Sequence, residues 1–210
     1  MTANAPARPN AKKNAGRIVM DSLKVHPGLT METPRKQSVR VALGEVTIPG
    51  DFAQFGVYRG ATARVIQSLM GEGRKLHLFD SFEGLPEDWF KQKPAGSFKL
   101  KEDEIPVFDS PAVVIHKGWF KDTAPGWAEA ATTPLAFIHI DADLYSSTVD
   151  ALFSINRLIV PGTVVLFDEY IGGGRDDEHR AFVDWMQKFG RTCEYLWRSS
   201  GLQACIRVTS

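Results

Sequence analysis

An apolar run, Leu135 to Ile140, ends abruptly in two carboxylates, Asp141 and Asp143. Short apolar runs bounded by polar signals mark buried strands of the parallel kind. The chain repeats the arrangement at Thr163 to Phe167, which passes directly into Asp168 and Glu169. Ligands of an open α/β sheet bind just outside the carboxyl ends of its strands. Two such strands side by side therefore bring four carboxylates, Asp141, Asp143, Asp168 and Glu169, to one edge of a sheet. Like charges so close repel unless a cation or a shared proton relieves them. Capping of the following helix explains one strand-end Asp, but not four acids on two strands. The pattern points to a metal-assisted or acid–base site.

The remaining chain supplies the sheet around these strands. After the Pro49-Gly50 turn signal, Phe52, Ala53, Phe55 and Val57 suit a strand, and Gly56 and Gly60 bracket the turn into a helix. That helix carries Val65, Ile66, Leu69 and Met70 on one face. Lys75 to Asp80 forms a second strand ending in Asp80, roughly twenty residues past the glycine turn, where an acid characteristically meets the ribose of an adenosine cofactor. The glycine spacing, G-x-x-x-G, is not the dinucleotide fingerprint, and a turn packed for structural reasons explains it equally well. Ser81 to Pro86 forms the loop beyond, where Phe82 stacks on a base or packs on the sheet. Glu87 to Ser110 reads as a solvated insertion, Ala112 to Ile115 as a third strand, and Trp119 beyond it as a wall for an adenine pocket or a core residue. A helix spans about Ser146 to Ile159, ended by Pro161-Gly162 before the strand from Thr163. Gly172 to Gly174 lie in a loop beside the acids, free to move over a substrate. Glu178 to Phe189 is an amphipathic helix, and Cys193 to Trp197 and Gln203 to Val208 close the chain as strands. A hairpin near Ser199 to Gly201 sets Cys193 and Cys205 almost opposite each other, both reduced.

Alternating β and α units of this kind imply a parallel sheet with helices on both faces. Residues 1–15 read as a disordered arm, 16–46 as a lid or extra layer in which Arg35 to Leu43 is helical, and 47–210 as the principal domain. A formal net charge of zero argues against a general nucleic-acid or membrane footprint. No apolar run approaches a membrane span and no signal core follows Lys12, Lys13 and Arg17, so a cytoplasmic location is expected. None of the five histidines sits in a zinc-type pair, and His139, inside the central strand, reads as a satisfied core residue. There is no phosphate-cradling Walker loop, which a metal-dependent phosphotransferase would need, and no G-x-S-x-G nucleophile turn.

In order along the chain, G-V-Y-R-G, F-D-S-F-E-G-L-P, H-K-G-W-F, H-I-D-A-D-L-Y-S-S-T and F-D-E-Y resemble the motifs of the macrocin O-methyltransferase family, from about Thr30 to the C-terminus. The resemblance implies the class I S-adenosylmethionine-dependent methyltransferase fold, Rossmann-like, with seven strands of which the last is antiparallel. It implies that Gly56, Tyr58 and Gly60 line the methionine end of S-adenosylmethionine. Asp80 would hold the ribose, with Ser81, Phe82 and Trp119 near the adenosine. It further implies one Mg²⁺ held by Asp141, Asp168 and Glu169, with Asp143 as general base. The implied acceptor is a hydroxyl of a sugar-containing or other vicinal-diol small molecule, and a homo-oligomer is compatible with it. Gln54 departs from the usual Glu before the first glycine, Glu169 from the usual Asp, and the chain is shorter than the antibiotic enzymes. A non-catalytic nucleoside-binding module and another metal-dependent α/β transferase are the alternative readings.

Overall fold

Strands buried on both sides must feed two cores, and alternate residues of the central strands do so. In the computed structural model, which describes residues 24–31, 34–171 and 175–210, strand β4 (Leu135–Ile140) is buried at every position. Phe137 packs into one core, Ile138 and Ile140 into the other. Strand β5 (Ile159–Phe167) divides the same way, with Val164 and Leu166 on one face and Val165 and Phe167 on the opposite one. Each such side chain contributes about 1.5–3 kcal/mol by leaving water, so a one-residue slip would turn both cores inside out.

The sheet has seven strands in the order β3-β2-β1-β4-β5-β7-β6. Strands β1 (Asp51–Phe55), β2 (Leu76–Asp80), β3 (Val113–Lys117), β4 and β5 are parallel. The last strand, β7 (Ala204–Val208), is antiparallel both to β5 and to β6 (Cys193–Arg198). Helices α1 (Arg35–Gly44) and α2 (Ala61–Leu69) cover one face through Val39, Ala42, Ala63 and Ile66. Helices α3 (Phe120–Ala130), α4 (Tyr145–Ile155) and α5 (Asp177–Phe189) cover the other through Ala124, Leu152, Phe182 and Trp185. This is the seven-stranded, doubly covered sheet expected from the sequence.

Several local expectations are corrected. Pro161-Gly162 does not separate helix from strand: α4 ends at Ile155, a 3₁₀ turn follows at Asn156–Leu158, and β5 already begins at Ile159. The extra residues bulge between the Leu135↔Ile159 and Phe137↔Val164 pairs. Thr163 Oγ1 closes that bulge, accepting from Val160 N–H and donating to the Leu135 carbonyl at 2.7 Å. Helix α3 is hidden in the sequence by Pro125-Gly126, which it carries in its interior. Leu69 is 45% exposed, so the buried face of α2 rests on Ala63, Val65 and Ile66, with Met70 buried just past its end. Cys193 stands opposite Val208 and Cys205 opposite Trp197, so the two thiols are not paired across the ladder. The insertion from Glu87 is less solvated than its composition suggests. Leu100 and Pro106 are buried, and the Leu85 and Gly96 backbones bond to Ser97 and Leu85. The arm at residues 1–15 and the glycines 172–174 lie outside the described residues. Among the described residues no helix is long and apolar enough to cross a membrane.

Candidate active site

The register sets one row of residues across four strands: Phe79, Phe55, Ile140 and Phe167 are neighbours in turn. The residue following each in sequence, respectively Asp80, Gly56, Asp141 and Asp168, therefore emerges at the same sheet edge. Backbone bonds continue the ladder past the strands, from Gly56 N–H to Phe79, Asp141 N–H to Phe55 and Asp168 N–H to Ile140. Gly56 is required here by its own chain's packing: its φ is +88°, and a Cβ would stand 1.9 Å from the Asp141 carbonyl oxygen.

Asp80 organises the glycine turn. Its Oδ2 accepts the Val57 and Tyr58 N–H groups at 2.7 and 2.8 Å, and its Oδ1 accepts Phe82 N–H at 2.7 Å. A carboxylate has about four acceptor directions, so one remains for a ligand hydroxyl. Gln54 is fully buried beneath the turn. Its Nε2 donates to the Gly56 carbonyl and reaches Thr62 Oγ1, both at 2.8 Å, while its Oε1 has no hydrogen-bond partner. Three residues with left-handed backbone, Tyr58 (φ 49°), Phe98 (φ 70°) and Asp143 (φ 62°), line the cleft. Such conformations cost free energy and cluster at ligand sites.

The cleft itself encloses about 550 Å³ between these elements, within the range of small-molecule sites. It is lined by Asp80, Ser81 and Trp119, by Asp141, Asp143 and Arg35, by Leu85 of the loop after β2 and by Phe98 of the insertion. Gly60 and Phe82 stand behind the walls. Gly60 caps α2 with φ +75° against Pro106 and Phe108, and Phe82 is buried in the core.

Three of the four expected acids gather around a residue that sequence reasoning did not single out. Arg35, the first residue of α1, places Nη1 2.5 Å from Asp168 Oδ2 and 4.0 Å from Asp141 Oδ1, and Nη2 2.6 Å from Glu169 Oε1. Burial works against its charge, but Asp168, Asp141 and Glu169 hold its pKa well above the ordinary arginine value. The Asp168 carboxylate is completely buried. Its Oδ1 accepts from Gln203 Nε2 at 2.6 Å, and Gln203 Oε1 in turn accepts from Ser38 of α1 at 2.6 Å. Its Oδ2, although close to Arg35, has no well-directed hydrogen bond. One guanidinium does not balance the cluster. Burial first, and then Asp168 and Asp143, raise the Asp141 carboxyl well above its usual range. Burial, then Glu169 and Asp168, push Asp143 up to about 7. Burial likewise raises Asp168 and Glu169 in spite of Arg35.

His139 is buried as expected but not satisfied. Neither ring nitrogen has a hydrogen bond, the nearer carboxylate oxygen of Asp168 is 4.0 Å away, and burial and then Arg35 lower its pKa to about 3. It is a neutral imidazole beneath the acids. Glu178, the second residue of α5, is also fully buried against the cluster. In the sequence it reads only as an acid in a first helical turn, where the helix dipole favours one, and Arg35 reads as a solvated charge beside a proline. No local pattern signals either.

A family model described as macrocin-O-methyltransferase (TylF) matches residues 26–187 of this chain. The chain belongs to that family. Two curated relatives are from Streptomyces species. An 8-demethyl-8-(2,3-dimethoxy-alpha-L-rhamnosyl)-tetracenomycin-C 4'-O-methyltransferase of Streptomyces olivaceus is 31% identical over 165 residues, 68% of this chain and 60% of that enzyme. Demethyldecarbamoylnovobiocin O-methyltransferase of Streptomyces niveus is 29% identical over 158 residues, 65% of this chain and 58% of that enzyme. The chain thus spans about three-fifths of the length of the curated relatives it matches. Among solved structures, the O-methyltransferase NovP superposes with a TM-score of 0.67 at 23% identity, over 84% of this chain and 80% of that one. That likeness establishes the fold. The macrocin-O-methyltransferase match covers every residue that lines the cleft, from Arg35 to Asp150, whereas Gln203, which holds Asp168, lies beyond it.

The carboxylate cluster fits a cation by the chemistry of its donors. All are hard oxygens, Asp168 Oδ2 is buried without a hydrogen bond, and a positive group already stands among them. As spaced around a guanidinium, however, they do not enclose a metal ion among the described residues.

Proposed function

We propose that the chain is an S-adenosylmethionine-dependent O-methyltransferase acting on a hydroxyl of a sugar or other vicinal-diol small molecule, with Mg²⁺ as its divalent cation. The observation that carries this reading is the cleft of a macrocin-O-methyltransferase family member with an adenosine-type wall on one side and an acid cluster on the other. On the first wall, the free acceptor direction of Asp80 suits a ribose hydroxyl, with Ser81 and Trp119 beside the adenosine. Gly56 and Tyr58 face the methionine end, and Gly60 and Phe82 shape the turn from behind. The cofactor supplies an electrophilic methyl group on a sulfonium.

Asp141, Asp168 and Glu169 would hold the cation, at the place where the Arg35 guanidinium stands. A divalent cation there supplies Lewis acidity toward an acceptor hydroxyl. Asp143 lies on the same loop as Asp141 and opens to the cleft, where it can take the hydroxyl proton. Without a cation, burial and then Glu169 and Asp168 push its pKa up to about 7; a cation on those acids would lower it, and would also make the hydroxyl more acidic, so that a carboxylate suffices as the base. Leu85 and Phe98 give the cleft apolar lining beside the acids.

The test is transfer of labelled methyl groups from S-adenosylmethionine to a panel of sugars, glycosides and catechols, with Mg²⁺ and with EDTA. The reading predicts Mg²⁺-dependent labelling of at least one vicinal diol. Tight binding of S-adenosylhomocysteine without transfer to any diol would favour the non-catalytic nucleoside-binding module.

A further inference from the structure

The acids arrive on two separate loops, one after β4 and one after β5, and their like charges push those loops apart. The Asp168 N–H bond to the Ile140 carbonyl joins the strand ends themselves. Beyond that bond, Glu178 bridges the two loops. Its side chain is completely buried, Oε1 accepting the Ala142 N–H at 3.2 Å and Oε2 the Glu169 N–H at 3.0 Å. Ala142 lies between Asp141 and Asp143, and Glu169 follows Asp168. One carboxylate thus holds a backbone amide on each loop.

For fastening alone this is a costly choice. The group has lost its water and faces Asp168, Asp143 and Asp141, all of the same sign. A hydroxyl or carbonyl oxygen would satisfy an amide without adding charge. A carboxylate adds two acceptor oxygens at a fixed spacing in one rigid plane. With a cation in the site, it would also add negative potential behind the groups that hold it, as outer partners of metal ligands do.

We propose that Glu178 is a positioning residue of the carboxylate site: by holding the Ala142 and Glu169 amides on its two oxygens, it sets the spacing between the Asp141–Asp143 loop and the Asp168–Glu169 loop and so sets the affinity of the site for a divalent cation. This rests on the cation reading above. Glu178 acts through those loops and does not line the cleft.

The experiment uses Mn²⁺ as the probe cation, read by electron paramagnetic resonance, and S-adenosylhomocysteine, read by calorimetry. Glu178→Gln has the same shape but retains at most one of the two bonds, because its amide nitrogen is a donor. Its Mn²⁺ affinity is expected to fall by about 10–100-fold, the usual effect of losing an outer partner of a metal site, with S-adenosylhomocysteine affinity within about twofold of the unaltered protein. Glu178→Asp, which keeps the charge but is too short to span both amides, is expected to show the same separation. In the unaltered protein, the amide protons of Ala142 and Glu169 are expected among the slowly exchanging ones, a measurement that needs no variant. Unchanged Mn²⁺ affinity in the variants, equal loss of both ligands in step with Tm, or free exchange at those two amides would overturn the proposal while leaving the cation reading standing. No Mn²⁺ uptake by the unaltered protein would overturn the cation reading and this one with it.

Discussion

Replacing Arg35 by Gln should make the apo protein less stable yet bind a divalent cation more tightly. The guanidinium occupies the space between Asp168, Glu169 and Asp141, so a cation held by the same oxygens must first displace it. Its contacts at 2.5 and 2.6 Å are charge-assisted, worth about 1.5–3 kcal/mol each when fully formed. The arginine side chain is 53% exposed, and the contact to Asp168 Oδ2 is poorly directed. Solvent screening reduces exposed ion pairs to about 1 kcal/mol or less, so a net cost of about 1–2 kcal/mol is the reasonable total. Removing that cost tightens cation binding by about tenfold, since 1.4 kcal/mol is one decade. The stability effect has the opposite sign. Asp168 is left buried without its counter-ion, so the apo protein loses the same interaction of about 1–2 kcal/mol that the cation no longer has to displace. Mn²⁺ titration and thermal unfolding with and without Mg²⁺ read the two effects separately. The prediction is a lower apo Tm that Mg²⁺ restores, together with about tenfold tighter Mn²⁺ binding. Mn²⁺ affinity equal to or weaker than that of the unaltered protein would refute the reasoning, because Arg35 would then not occupy the cation's place.

Asp80→Ala should weaken S-adenosylhomocysteine binding by about 1–3 kcal/mol in calorimetry. It should also lower Tm, because Val57, Tyr58 and Phe82 lose the acceptor for their N–H groups. Asp143→Asn should preserve cation and cofactor affinity while lowering turnover by about 10²–10⁴-fold, the range for a lost general base. Asn tolerates the left-handed backbone at this position, where φ is 62°, so single-turnover rates of this variant report chemistry rather than strain. Without divalent cation, stability should fall as pH rises. Asp143 has a folded pKa of about 7 against an ordinary carboxylate value near 4, so its proton binds more tightly in the native state. Stability is therefore fullest below about pH 4 for this group and lost as pH climbs through about 7, with Asp141 and Glu178 shifted in the same direction. Thermal unfolding from pH 5 to 8, with EDTA and with Mg²⁺, should show that loss and its removal by the cation.

The sheet was legible because its central strands are buried on both faces. The expected run from Leu135 to Ile140 coincides with β4. The start of β5 was hidden because a bulge and a break have the same composition: Pro161-Gly162 reads as a stop until Thr163 is seen closing the bulge. Helix α3 was hidden for a related reason, since Pro125 ordinarily ends a helix and here lies inside one. The acids of the site could be read because each follows a strand directly, and strand ends converge on one edge. What could not be read is what surrounds them. Arg35 comes from a helix 134 residues from Glu169, Glu178 lies only nine residues past Glu169 but reaches back 36 to Ala142, and each sits in a first turn where a charge is unremarkable. Gln203 joins Asp168 only because β7 runs back beside β5. Partnerships of this kind are made by tertiary packing, and no spacing rule along the chain encodes them.

The most direct test of the account is a crystal structure of the protein with S-adenosylhomocysteine and Mn²⁺, using the anomalous signal of manganese to locate the ion. The account predicts an ion bonded to Asp141, Asp168 and Glu169, the Arg35 guanidinium withdrawn from them, Asp143 facing the open side of the cleft, and the ribose on Asp80. Arg35 still seated among the acids at saturating Mn²⁺, or the nucleoside bound away from Asp80, would contradict it.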